Sequence, residues 1–179
     1  MTWNAAISLI VTGHLALLAT DAPAAVTSVE GAGPVISAAA PSPARLIDEL
    51  LRALGRKDRD ALRRLRLTES EYREIVLPGN VDVGQPLRTY PAEVSEFAWR
   101  QLDTKSAYYE DFLVRQFGGR SFKVKAIEYE KGTQQYATYR AHKQLRLTLE
   151  DGDGAEVELR TGSVAEIAGQ FKFVSFIRD

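Results

Sequence analysis

Apolar residues recur at helical spacing from Leu46 onward, with Leu46, Ile47, Leu50, Leu51 and Leu54 on one side. Ser42-Pro43 ahead of them supplies a capping hydroxyl and a proline suited to the first helical turn, and Gly55 is the expected stop. Asp58 can cap a short second helix ending near Leu65. The run Thr68-Glu69-Ser70-Glu71 is a capping box ahead of Tyr72, Ile75 and Val76, and Pro78-Gly79 closes that helix. Residues 79–90, with Pro86 and two glycines, read as a loop. Pro91 then opens a long helix in which Val94, Phe97, Ala98, Leu102, Tyr108, Tyr109, Phe112 and Leu113 are the residues expected to be buried; Gly118-Gly119 ends it.

Beyond this point the period falls from 3.6 to 2. Phe122, Val124 and Ala126 alternate, then Ile127 and Tyr129 alternate out of phase, which predicts a bulge near Ala126. A second strand is expected over 135–149, with Ala137, Tyr139, Ala141, Leu145 and Leu147 facing one way. The opposite face carries Thr138, Arg140, His142, Gln144 and Arg146. The stretch EDGDGAE reads as a hairpin turn. A third strand follows over 157–167, and Ala168-Gly169-Gln170 turns the chain into a last strand. That strand places Phe171, Phe173 and Ile177 on one face and Val174 and Phe176 on the other. Apolar residues on both faces predict a strand covered on both sides. The fold class is therefore α+β: N-terminal helices packed in the concave face of a curved antiparallel sheet.

The first forty residues follow a different pattern. No lysine or arginine precedes Arg45, and AAISLIVTGHLALLAT is an apolar run interrupted by Gly13 and His14. Ala22-Pro23-Ala24 follows, with the small-x-small spacing that a signal peptidase reads. The expectation is a signal peptide over residues 1–24, a disordered linker over 25–42 and one α+β domain over 43–179. The protein would then be secreted or periplasmic, with no stable membrane span once the signal is removed.

The chain has 179 residues and is 45% hydrophobic and 26% charged, as ordinary globular domains are. A net charge of −1 gives no basic surface for phosphates, so nucleic acid is not an expected partner. The absence of cysteine excludes thiol nucleophiles, disulfides and thiolate metal sites.

The order of helices then sheet, closed by GSVAEIAGQFKFVSFIRD, resembles the nuclear-transport-factor-2-like superfamily, the cystatin-like cone, over about residues 43–179. In particular it is similar to small secreted bacterial members of unassigned role. The resemblance implies a cone whose open end can form an apolar pocket. Some members of that superfamily are isomerases, dehydratases or hydrolases, and others bind ligands, dimerise or serve as protein modules. No catalytic motif of those enzymes maps onto this chain, so fold analogy says little about activity.

His142 is the only histidine after residue 24, which excludes a multi-histidine metal site, and no metal or cofactor is expected. One reading of His142 is a general base paired with Asp103 or Asp111; the plainer one is a solvated histidine on the outer sheet face. Lys143 falls in phase with Ala141, Leu145 and Leu147, where a lysine in an apolar cone could bind an anion or act as a base. A bulge would turn it outward, and its stem can snorkel. Tyr108, Tyr139, Thr161, Ser163 and Ser175 are the candidate ligand-binding residues, since hydroxyls and aromatics orient small ligands in apolar cavities. They equally suit a core whose hydroxyls bond to backbone. Asp151 to Gly154 lacks the later ligands of a calcium loop.

These readings lead to an extracytoplasmic module that binds a small apolar ligand or another protein without catalysis. The alternatives are an enzyme with an acid–histidine or lysine site, and a structural homodimerisation domain.

Overall fold

The computed structural model describes residues 36–178, which form an α+β unit of helices and two antiparallel sheets. The expected signal peptide lies outside the described residues. Helix α1 spans Pro43–Arg56, with Ser42 Oγ accepting from Arg45 N. It runs one residue past Gly55 and stops at Lys57, whose φ of 55° is left-handed, so the expected stop moves along the chain. Helix α2 spans Arg59–Arg64 under its Asp58 cap, as the sequence predicts.

Helix α3, Glu69–Glu71, begins with the capping box in place, Glu71 N bonded to Thr68 Oγ1 and Thr68 N to Glu71 Oε2. It continues through a π-helical turn, Tyr72–Val76, into α4, Leu77–Gly79. Within this turn the Ile75 carbonyl accepts from Thr138 Oγ1 at 2.7 Å, a side chain from the loop over residues 136–139. Helix α5, Ala92–Phe117, follows the loop.

One sheet has strand order β1-β4-β5, from β1 (Phe122–Tyr129), β4 (Leu145–Asp151) and β5 (Glu156–Arg160). The other is ordered β2-β3-β6-β7, from β2 (Thr133–Gln135), β3 (Arg140–His142), β6 (Val164–Ile167) and β7 (Gln170–Phe173). The register of β1 on β4 slips between Val124 and Ala126, where the bulge is expected.

The strand over 135–149 is not continuous, nor is the one over 157–167. Each breaks at a corner: Gln144 takes a φ of 56° between β3 and β4, and Gly162 lies between β5 and β6. The two corners meet, with Leu145 N bonded to Gly162 O and Thr161 N to Leu145 O. The burial alternation slips at the first corner, where Gln144 and Leu145 are buried in succession, although the apolar spacing of Ala141, Leu145 and Leu147 in sequence gives no sign of it.

The edge of β7 is closed by loop backbone. Ala40 exchanges both hydrogen bonds with Phe171, Leu67 N donates to Phe173 O, and Phe173 N donates to Leu65 O. The expectation of a covered strand holds, but it ends at Phe173, and Phe176 then turns back to lie 5.1 Å from Phe173, ring to ring. The opposite-face placement of Phe176 is thereby corrected. The linker expectation is also corrected for residues 36–42, where Ile36 and Ala40 are buried; residues 25–35 lie outside the described ones.

Two apolar cores result. One joins Leu46, Leu50, Leu54 and Leu62 to Leu145, Leu147, Leu159 and Phe173. The other joins Ile36, Leu67, Ile75 and Val76 to Tyr139, Ala141, Ala165 and Ile167. Among the described residues, no helix is long and apolar enough to cross a membrane.

Candidate functional site

Helix α5 presents several of its large apolar residues to solvent while burying polar ones. Its buried side chains are Ser95, Ser106, Glu110, Leu113 and Phe117. Val94, Phe97, Tyr108 and Phe112 are 44%, 58%, 67% and 44% exposed, so four of the expected core residues lie on the surface. Ala98, Leu102 and Tyr109 are half-buried, and Leu113 alone of that expected set is buried. At about 100° per residue, Val94, Phe97, Gln101, Tyr108 and Phe112 share a sector roughly 60° wide.

The polar residues that share the packed side with Leu113 and Phe117 are held by specific partners. Ser106 Oγ accepts from Phe176 N at 3.0 Å, tying α5 to the chain just past β7. Glu110 meets α2, with Arg59 at 3.6 Å and Arg63 at 3.7 Å. Burial pushes its carboxyl above the usual range, against the pull of Arg63, Arg59 and Arg66. A sequence pattern ranks apolar residues above Ser and Glu for burial, and here those partners reverse the order.

Beside the stripe runs a groove of about 680 Å³. Tyr108, Tyr109 and Phe112 form one wall, and Glu158, Arg160 and Arg178 the other. Arg160 is bonded to Glu158, and Tyr109 Oη donates to the Arg178 carbonyl at 3.4 Å. A second groove of about 730 Å³ lies beside the π-helical turn, and on its helical wall Arg73 pairs with Glu69 and Ser70 with Glu74.

Of the candidate ligand residues, Thr161, Ser163 and Ser175 do come together, at the sheet corner. Each hydroxyl bonds to backbone there: Thr161 Oγ1 donates to Phe176 O, Ser163 Oγ accepts from Gln144 N, and Ser175 Oγ accepts from Ile177 N. Tyr139 is buried in the second core, stacked 4.9 Å from Tyr136, and burial raises its phenol's pKa. Tyr108 lies apart from these four, on the outer face of α5.

His142 is not the solvated histidine of the plainer reading. Its side chain is 13% exposed, with Nε2 3.0 Å from Glu166 Oε2 and Nδ1 3.1 Å from Thr133 Oγ1. The acids proposed for it are engaged elsewhere, Asp103 with Arg66 and Asp111 with Arg59. Glu166, which the sequence reading missed, is two residues from the register partner of His142 and also binds Arg140 at 3.1 Å. Lys143 is half-buried at the corner, with its ammonium on Gln134 and over the Tyr136 ring. Asp151 turns its carboxylate onto Ala155 N and Asp153 N, which hold its pKa down, and onto Arg120.

No protein-family model, curated protein or solved structure matches the chain.

Proposed function

We propose that this protein is a non-catalytic interaction module whose working surface is the apolar face of α5. One observation carries the reading: a folded helix buries Ser95, Ser106 and Glu110 while leaving Phe97, Tyr108 and Phe112 in solvent. Exposed aromatics aligned on one helix face are characteristic of surfaces that await a partner. The small-molecule form of the reading is less supported, since Thr161, Ser163 and Ser175 spend their hydroxyls on backbone.

The enzyme reading has one feature in its favour, the Glu166–His142–Thr133 chain of contacts. Both ring nitrogens of His142 already face protein groups, so as it stands neither is directed at a substrate. The combination of helices with antiparallel sheets is in keeping with the cone resemblance, and the pattern of residues 1–24 with export; both belong to this proposal.

The test is native mass spectrometry of the chain as its host produces it, beside a Phe97→Glu/Tyr108→Glu variant. A polypeptide complex in the first and none in the second supports the module. A small-molecule adduct retained by both proteins, with no polypeptide partner, overturns it.

A further inference from the structure

We infer that the partner of the α5 face is a second copy of this chain, its α5 antiparallel to the first about a two-fold axis near Thr104 and Lys105. The inference rests on the reading of α5 as the working surface and adds the occupant. The stripe from Val94 to Phe112 extends about 27 Å at 1.5 Å per residue. Its pattern is self-complementary when reversed. Phe97 and Phe112 lie equally far on either side of the boundary between Thr104 and Lys105, so antiparallel pairing seats each Phe97 on the other copy's Phe112. Gln101 and Tyr108 are related in the same way, an amide against a phenol.

The charges agree with this direction. Exposed Glu93 and Arg115 lie on the same flank at opposite ends of the stripe, and a two-fold axis brings each Glu93 against the other copy's Arg115. Parallel pairing would instead hold Glu93 and Arg115 at opposite ends of the seam and form no such contact. An unrelated partner requires none of this internal symmetry. One contact opposes association: the axis sets Lys105 beside its own copy. A helix pair of this length buries on the order of 1,000 Å², the lower edge of stable interfaces, so a concentration-dependent dimer is expected.

The experiment uses sedimentation velocity and cysteine trapping on the chain as its host produces it. The chain has no cysteine, so a single introduced one reports unambiguously. Thr104→Cys should cross-link to itself under mild oxidation. Val94→Cys should not, because its own copy is about 30 Å away, but it should cross-link when mixed with Arg115→Cys. Glu93→Arg and Arg115→Glu should each weaken the dimer roughly threefold, and the double reversal should restore it. All of these positions are exposed, and circular dichroism checks that each variant folds. A monomer at every concentration with no Thr104→Cys cross-link overturns the inference. If native mass spectrometry then still finds a different polypeptide on the α5 face, the module reading survives and the self-pairing does not.

Discussion

Lys172 Nζ lies 2.8 Å from Glu71 Oε2 across 101 residues of sequence, the lysine side chain 1% and the glutamate 8% exposed. The same carboxylate accepts from Thr68 N at 2.8 Å and, through its other oxygen, from Ser37 N at 2.7 Å and Ser37 Oγ at 3.0 Å. A capping-box glutamate thus also anchors the segment ahead of α1 and, through Lys172, strand β7. Removing one partner of such a pair leaves a charge buried without compensation. Lys172→Met and Glu71→Gln should each cost about 3–5 kcal/mol. The apolar pair Glu71→Leu/Lys172→Met should recover most of that loss in chemical denaturation. A Lys172→Met protein as stable as the parent would mean the pair holds nothing together.

The two buried glutamates should respond to acid in opposite senses. Burial works to raise the Glu71 pKa, but Lys172, Thr68 and Ser37 outweigh it and hold the pKa below the ordinary value. Its stabilisation is present above the unfolded-state pKa and is lost as pH falls through the folded one. Glu110 is pushed upward by burial, so its ionisation costs stability as pH rises through its folded pKa. Glu110→Gln should therefore raise stability by roughly 1 kcal/mol at pH 7 and leave it nearly unchanged at pH 4. Denaturation curves at the two pH values check this; a loss at pH 7 would show that the arginines of α2 need the carboxylate.

What was legible in the sequence was local. Ser42, Asp58 and the Thr68–Glu71 box cap helices because each acts within a few residues of itself, and the Val124/Ala126 bulge shows as a phase change. What was not legible depends on distant partners. Lys172 stands between Phe171 and Phe173 in sequence, and nothing local shows that Glu71 of α3 meets it. Glu166 joins His142 only through the pairing of β3 with β6. Ser106 outranks Tyr108 for burial only because Phe176 N arrives to bond it.

His142 packs 4.9 Å from the Tyr129 ring and 6.0 Å from the Phe171 ring, centroid to centroid. A phenylalanine preserves those contacts, and Glu166 keeps Arg140. His142→Phe should change stability by no more than about 1 kcal/mol and leave association of the α5 face unaltered. If this variant folds normally but loses a measured turnover, the acid–histidine reading returns in place of the module.

The sheet corner gives the most sharply divided expectation. A Cβ built on Gly162 would meet Ser175 O at 2.3 Å and Ile177 O at 2.8 Å, both backbone atoms that cannot swing aside as a side chain would. On Gly152, in the β4–β5 turn, a Cβ would meet nothing within 4 Å. Both glycines sit among polar turn residues, so composition alone treats them alike. Gly162→Ala should cost more than about 2 kcal/mol by forcing the 175–177 segment off the corner, and that segment also carries Phe176, a buried member of the main core. Gly152→Ala should lie within about 0.5 kcal/mol of the parent. Urea midpoints of the two variants settle the comparison: equal midpoints would mean that the C-terminal segment does not close over the corner, and that the Thr161, Ser163 and Ser175 hydroxyls are free for a ligand after all.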